Sequence, residues 1–207
     1  MFWNKNKKGG NGGIEFVIAG LGNPGSEYEN TRHNAGFITI DILAEKTGIR
    51  VNRQKHRALV GTGIIAGHKV MLVKPQTYMN LSGESIIEVA NFYKIKPDEI
   101  LVIHDELELE TGFVSFKWSG GLGGHNGLRS TKQVLNTPDF WRLRFGIGRP
   151  QNDKMSVADW VLSKFSDEQQ EILQNVFSQT NFLLVKVLLS KNPADYLQNW
   201  GKKKLVD

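Results

Sequence analysis

Short apolar runs alternate along this chain with glycine-rich or polar loops and with segments of helical periodicity. A run at 16–21 leads into a loop at 22–30, and the next segment has apolar residues at helical spacing and stops at Gly48. This order recurs along the chain. Strands interleaved with helices predict a single-domain three-layer α/β/α sandwich with a mixed, mostly parallel central sheet. In such folds, sites gather at the carboxyl ends of the strands.

The spacing of apolar, glycine and capping residues also predicts where each element lies. Strands are predicted at 16–21, 57–65, 69–74, 100–104, 112–118 and 141–147. Helices are predicted at 35–47, 126–135, 157–164, 167–190 and 193–200, and one more from Asn80 or Ser82 to about Lys94. The strand pair within 57–74 has a tight turn and is therefore antiparallel, which makes the sheet mixed.

The composition predicts one globular domain and a basic leader. Of 207 residues, 40% are hydrophobic, enough for one core, and we assign the domain to 14–207. Residues 1–13 are rich in lysine and glycine, so we expect a disordered leader there. No apolar run has the length of a signal peptide or membrane span, and the sequence contains no cysteine, which suits a cytoplasmic location. The net charge of +5 favours a polyanionic partner such as nucleic acid.

A histidine and an aspartate occupy two of the polar loops that follow predicted strands. His33 directly precedes a predicted helix, and taken alone it could be a capping residue. Asp105 follows an apolar strand, although the acidic residues after it would also suit a solvated loop. A short carboxylate at a strand end can accept the Nδ1–H of a histidine and leave Nε2 as a free base. We therefore predict that His33 and Asp105 form a pair.

Three asparagines lie in separate loops, and each alone is most simply a turn residue. Asn23, Asn80 and Asn126 all carry amides that can both donate and accept hydrogen bonds. If they converge on the His33–Asp105 pair, they form a site that holds amide and ester oxygens. The sequence has no cysteine, no G-x-S-x-G elbow and no S-x-x-K arrangement, so water is the expected nucleophile.

Neither a cofactor nor a metal ion is expected. Gly20, Gly22 and Gly25 match the spacing of a dinucleotide-binding fingerprint, but such a match alone is weak. Pro24 lacks an amide N–H, and the loop continues for several residues before the next helix. The histidines show no spacing typical of metal ligands.

Five motifs, in order, resemble those of the bacterial-type peptidyl-tRNA hydrolase family over about residues 15–200. They are GLGNPG, YENTRHNAG, YMNLSG, HDEL and GGHNG. The resemblance implies an enzyme that hydrolyses the ester bond between an N-blocked peptide, or an N-acyl amino acid, and the 3′ end of tRNA. The released tRNA would return to translation. It further implies a monomer that acts on the tRNA acceptor stem without a membrane or an obligate protein partner.

The same resemblance implies roles for individual residues. His33 would be the catalytic base, Asp105 its orienting partner, and Asn23 would distinguish blocked from free aminoacyl groups. We expect the Asn23 side-chain carbonyl to accept the substrate amide N–H. The residues that would contact the acyl and nucleotide end of the substrate are Tyr28, Tyr78, Asn80 and Asn126. Tyr78 is a departure, since many relatives carry phenylalanine there.

Basic residues flank the predicted site in sequence and are candidates for phosphate contacts. They are Lys117, Arg129, Lys132, Arg142, Arg144 and Lys154, for each of which an ordinary solvated position is the alternative. The strongest rival function is a non-catalytic RNA-binding relative, as in splicing factors that keep this fold. The intact His33, Asp105 and asparagines argue against that rival.

Overall fold

The computed structural model describes residues 13–170, 173–176, 178–180 and 202–204. Its strands are β1 (Phe16–Gly20), β2 (Arg53–Lys55), β3 (Ala58–Ile65), β4 (His68–Pro75), β5 (Ile100–Glu106), β6 (Phe113–Trp118), β7 (Trp141–Gly146) and β8 (Lys202–Lys204). Its α-helices are α1 (Ala35–Thr47), α2 (Ser82–Tyr93), α3 (Asn126–Leu135) and α4 (Val157–Leu162), and residues 167–170, 173–176 and 178–180 are also helical. Short 3₁₀ turns at Arg32–Asn34 and Met79–Leu81 precede α1 and α2.

The strands form one mixed sheet in the order β2-β3-β4-β1-β5-β7-β6-β8. The four central strands β4, β1, β5 and β7 pair in parallel, and the outer strands pair in antiparallel fashion. The α/β fold with a mixed sheet is therefore confirmed. Its parallel pairing lies at the centre, where the carboxyl ends of β1 and β5 are neighbours.

Alternate side chains of the central strands enter two separate cores. On one face Ile18 packs with Ile40 and Leu43 of α1. On the other face Val17 belongs to a cluster with Ile86 of α2 and Leu128 of α3. The period of two in the strands thus divides the apolar residues between both faces, and each fully buried aliphatic side chain contributes about 1.5–3 kcal/mol. These two cores define the three layers.

Several elements differ from the predicted ones. The strand β2 was not predicted, because its three residues are charged or polar and exposed and show no apolar alternation. The strand β5 runs two residues further than predicted, so Asp105 lies within it and pairs in register with Phe145. The helix α4 ends at Leu162 rather than at 164, because Ser163 is extended and Lys164 forms a bridge with Thr31.

Some predictions fall outside the described residues. Of the leader predicted at 1–13, only residue 13 is described. The helix predicted at 167–190 is helical in its described part up to residue 180, and the helix predicted at 193–200 lies outside it. No helix among the described residues is long and apolar enough to cross a membrane.

A close approach between β1, β5 and the start of α1 brings the site together. The backbone N–H of Leu21 donates to the carbonyl of Ile103, and the N–H of Phe37 donates to the carbonyl of Leu21. Gly36 lies at this crossing, where an added Cβ would be 2.3 Å from the Leu21 nitrogen and 2.5 Å from the Ile103 oxygen. Only glycine permits this approach of three backbones. The contact fixes the residues before α1 beside the end of β5.

We predict that Gly36→Ala lowers Tm by roughly 5–10 °C, since the added methyl group must displace backbone rather than a side chain. The matched control is Gly121→Ala, because nothing lies within 4 Å of the Cβ added there. Thermal unfolding followed by circular dichroism measures both. Equal Tm values for the two variants would show that the crossing tolerates a side chain.

Candidate active site

The predicted pair of His33 and Asp105 is in contact. His33 lies in the 3₁₀ turn before α1, and Asp105 lies near the end of β5. The His33 Nδ1 is 2.9 Å and 3.0 Å from the two Asp105 carboxylate oxygens. A carboxylate only accepts, so Nδ1 carries the proton and donates it. The imidazole therefore keeps Nε2 as a free base, on a residue that lines a cavity.

His125 also binds Asp105, a contact that the sequence-based reasoning missed. Its Nε2 is 2.9 Å from the same Oδ1 that accepts from His33. Its Nδ1 accepts from the backbone N–H groups of Gly127 and Leu128 and so caps α3. Because Nδ1 accepts, Nε2 must carry the proton and donate it to Asp105. The capping role considered for His33 thus belongs to His125, and its position directly before a predicted helix was the available signal.

The two imidazoles determine the ionisation of the buried carboxyl group. Burial raises the pKa of Asp105, but the charges and hydrogen bonds of His33 and His125 lower it more, so that this pKa lies well below its usual range. Burial lowers the pKa of His33, but the charge and hydrogen bond of Asp105 outweigh it and raise this pKa above its usual value. Asp105 is therefore a permanent carboxylate beside a more basic imidazole.

A third histidine, His104, packs under this pair without being able to serve as a base at neutral pH. Burial and the neighbouring His125 lower the pKa of His104 to about 3. Its Nδ1 lies 2.6 Å from the Asp105 backbone oxygen, and its ring centroid lies 5.0 Å from that of His125. His104 thus remains neutral and supports the His125 ring.

His33, Asp105 and His125 are near enough to one another to be considered as metal ligands. Coordination through the His125 Nε2 would move the ring proton to Nδ1, which already accepts two backbone N–H groups. Coordination through the His33 Nδ1 would likewise displace the proton that it donates to Asp105. The hydrogen bonds therefore favour an acid–base site over a metal centre.

The glycine loop after β1 also differs from a dinucleotide site. The 3₁₀ turn at Ser26–Tyr28 follows it, and α1 begins only at Ala35. A Cβ on Gly20 would meet the backbone of Gly36, and one on Gly22 would meet the Phe37 ring. These glycines serve the packing of β1 against α1.

Asn23 is buried in the site, and its side-chain carbonyl is already bound by the backbone. The Asn23 Oδ1 accepts from the backbone N–H of Met79 at 2.8 Å. Its own backbone is paired with the Asn34 side chain through two hydrogen bonds. Because Met79 N–H can only donate, the Asn23 amide is oriented with Nδ2 as its remaining group. Asn23 therefore keeps both N–H donors of Nδ2 available, while one of the two lone pairs of Oδ1 is already used.

The other predicted substrate residues lie at the cavity of about 570 Å³ or beside it. Tyr78, Asn80 and Asn126 line it, together with Asn23, His33 and Asp105. Tyr28 is not among the lining residues, but its ring lies edge-on to Tyr78 with centroids 6.5 Å apart. A further wall of the cavity is formed by Val157, Ala158, Val161 and Leu162 of α4.

One of the basic residues predicted to contact phosphate, Arg142, is buried instead. Arg142 is only 1% exposed, and its guanidinium donates to the backbone carbonyls of Gly120, Gly121 and Pro138. The prediction for Arg142 is therefore wrong, because a side chain that holds the glycine loop from inside cannot reach a phosphate.

The other basic residues remain accessible. Arg144 is half-buried between Ser115 and Glu106, with its Nη1 3.5 Å from the Glu106 carboxylate. Arg129 donates to the Asn126 side chain at the cavity edge. Lys117 is half-buried, and Arg129, Lys132 and Lys154 are exposed.

The fold and the site together define an α/β enzyme whose cavity holds a carboxylate-oriented histidine. The chain belongs to the peptidyl-tRNA hydrolase family, whose sequence model matches residues 17–205. It is 53% identical to peptidyl-tRNA hydrolase of Brevibacillus brevis over 78% of this chain and 85% of that protein. It is 46% identical to that of Bacillus pumilus over 92% of this chain and 99% of that protein.

Solved structures agree with this assignment. A crystal structure of a mutant peptidyl-tRNA hydrolase from Acinetobacter baumannii superposes with a TM-score of 0.82 at 39% identity, over 91% of this chain and 96% of that one. Another structure from the same organism gives a TM-score of 0.79. The family membership predicted from the five motifs and the α/β fold predicted from the order of strands and helices are confirmed.

The pKa shifts predict the pH dependence. Catalysis by neutral His33 is lost as the pH falls through its pKa, and because Asp105 raises that pKa, the acidic limb of kcat/KM should lie above about pH 6.5. In Asp105→Asn the limb should move to lower pH, and kcat should fall by about two to four orders of magnitude as the tautomer is no longer fixed.

The measurement is kcat/KM from about pH 5 to about pH 8, together with NMR titration of the His33 ring. The control is Glu108→Gln, which removes an exposed carboxyl of the following loop. An acidic limb at the same pH in Asp105→Asn and in the native protein would contradict the assigned pair.

Proposed function

We propose that this protein hydrolyses the ester bond between an N-blocked peptide, or an N-acyl amino acid, and the 3′ end of tRNA, so that the tRNA returns to translation. The observation that carries the proposal is the contact between the His33 Nδ1 and Asp105, which frees Nε2 at a cavity in a chain of this family. An ester is more easily hydrolysed than an amide, so an imidazole whose pKa is raised by Asp105 suffices as the base.

The reaction follows from the orientation of the side chains. His33 Nε2 takes a proton from a water molecule, whose oxygen attacks the ester carbonyl carbon. The oxyanion formed there is stabilised by side-chain amide N–H groups such as those of Asn23 and Asn80. When the intermediate collapses, the ribose 3′ oxygen leaves and takes the proton from the His33 imidazolium. Asp105 stays ionised throughout and stabilises that imidazolium.

The orientation of Asn23 also supports selection for blocked substrates. An N-acyl group places a carbonyl oxygen next to the amino nitrogen, and the Asn23 Nδ2 can donate to that oxygen. A free aminoacyl group presents an ammonium there, which only donates and carries a positive charge. A fixed donor at Asn23 therefore favours the acylated ester. We propose this role in place of the acceptor role inferred from the sequence.

Accessible basic residues support binding of the acceptor stem. They are Lys117, Arg129, Lys132, Arg144 and Lys154, on a chain of net charge +5. Lysine and arginine neutralise phosphates and release counterions, which supplies affinity without sequence preference. A cytoplasmic location and action as a monomer without an obligate protein partner complete the proposal, and the cysteine-free sequence is compatible with a reducing compartment.

The proposal is tested with the full chain and N-acetylaminoacyl-tRNA, from which release of the acylated amino acid is measured. We predict that His33→Ala lowers kcat by about two to four orders of magnitude in a folded sample, because water is no longer deprotonated. His56→Ala, which changes a histidine that does not line the cavity, should keep the native rate.

The same assay with a metal chelator distinguishes this mechanism from metal catalysis. We expect the chelator to leave the hydrolysis rate unchanged. Tight binding of the tRNA without release, or a folded His33→Ala variant that keeps most of its turnover, would overturn the proposal. The first result would favour the non-catalytic RNA-binding relative.

Salt dependence tests the phosphate contacts. Arg129 is exposed at the cavity edge, so we predict that Arg129→Ala reduces the slope of log affinity against log salt by about one, with a similar loss for different tRNAs. Arg50→Ala removes the same charge from an exposed site after α1 and should leave the slope unchanged. An equal slope in the Arg129 variant and the native protein would remove this residue from the interface.

A further inference from the structure

Arg32 lies directly before His33, and its side chain is buried without a carboxylate partner among the described residues. It is 4% exposed. Its Nη1 donates to Ser163 Oγ and to the Lys164 carbonyl, both at 2.6 Å. Its Nη2 donates to the Gln169 side chain at 2.8 Å. Every one of these partners is more than a hundred residues away along the chain and follows α4.

The guanidinium also packs on an aromatic ring of α4. The Arg32 Cζ lies 3.7 Å from the centroid of the Trp160 ring and 5.1 Å from the centroid of the Phe165 ring. A desolvated cation over a tryptophan face is attracted by the electron-rich face of the ring, and the planar guanidinium of arginine fixes the directions of its hydrogen bonds. An apolar side chain could fill this space without the cost of burying a charge. It would not fix the positions of Ser163, Lys164 and Gln169, which the guanidinium binds through hydrogen bonds.

The backbone of the same segment joins the same two parts of the fold. The N–H of Arg32 donates to the carbonyl of Ser163, and Thr31 forms a bridge with Lys164. One side of this junction carries His33, and the other carries α4, whose Val157, Val161 and Leu162 line the cavity. The Arg32 side chain thus connects the segment that carries His33 to the wall formed by α4.

We propose that Arg32 is a positioning residue for substrate binding: it holds the α4 wall at the distance from His33 that the acyl-ester end of the substrate requires. This inference rests on the proposed function for the identity of the substrate. Arg32 does not contact the reacting atoms, and its partners lie in α4 or in the residues that follow α4. Its loss therefore changes how well the wall closes on the substrate, while proton transfer at His33 Nε2 is preserved.

The test compares Arg32→Lys and Arg32→Met with Arg50→Met, which removes an exposed arginine. Lysine keeps the charge but loses the planar fork, and methionine keeps much of the length but loses the charge. We expect KM for N-acetylaminoacyl-tRNA to rise about tenfold in both Arg32 variants, with kcat within about threefold of the native value and an unchanged acidic limb. Arg50→Met should keep the native KM.

Hydrogen exchange at 157–163 gives a readout that does not depend on activity. We expect faster exchange there in both Arg32 variants and native exchange in Arg50→Met, because α4 loses its anchor. If Arg32→Met does not fold, Trp160→Leu tests the same junction from the other side and should raise KM in the same direction.

The kinetic and stability measurements on the Arg32 variants distinguish a positioning role from a structural or a catalytic one. A native KM together with a lowered Tm would reduce Arg32 to a structural role and overturn the inference. A lowered kcat with a shifted acidic limb would show that Arg32 acts on His33, which also overturns it. If the native protein does not hydrolyse the ester, the proposed function fails, whereas the exchange at 157–163 still decides whether Arg32 anchors the wall.

Discussion

A single carboxylate, that of Asp105, accepts hydrogen bonds from two imidazoles that come from different parts of the chain. His33 donates through Nδ1 and His125 donates through Nε2, each at a distance of 2.9 Å from the same Asp105 oxygen. The two rings are therefore in opposite tautomers, and each is set by what its other nitrogen does. The His125 Nδ1 caps α3, and the His33 Nε2 is left without a proton on a residue that lines the cavity. The carboxylate thus joins β5, α1 and α3 at one point.

The surrounding fold serves to bring these groups to that point. The parallel neighbours β1 and β5 end side by side, and Gly36 lets the start of α1 approach both of them. The turn that carries His33 is then held from the other side through Arg32, which binds the segment after α4. Burial of the carboxylate strengthens its interaction with both imidazoles, because the effective dielectric constant is lower inside the protein. Packing and electrostatics therefore act on the same few side chains.

The sequence predicted most of the fold, because periodicity and glycine positions are local signals. The helices α1 and α3 have the predicted bounds, and the contact of His33 with Asp105 followed from a base before a helix and a short carboxylate at a strand end. The strand β2 was not predicted, because its exposed polar residues show no alternation of apolar and polar side chains.

The missed parts of the site depend on partners that are distant in sequence. The orientation of the Asn23 amide depends on the Met79 N–H, which only the folded chain brings near. Arg142 was taken for a surface cation because its partners, the carbonyls of a glycine loop, leave no pattern in the sequence. The role of His125 had a local signal in its position before α3, but its bond to Asp105 is a tertiary contact. Charge alone therefore identified neither the buried arginines nor the second imidazole.

The tautomers of the two histidines test the central claim most directly. The measurement is ¹⁵N NMR of the imidazole nitrogens in histidine-labelled protein at about pH 8, above the ordinary pKa of a free imidazole. We predict a protonated Nδ1 and an unprotonated Nε2 in His33, and an unprotonated Nδ1 and a protonated Nε2 in His125. A bare Nδ1 in His33, or a protonated Nδ1 in His125, would contradict it, since Asp105 could not then accept from both rings.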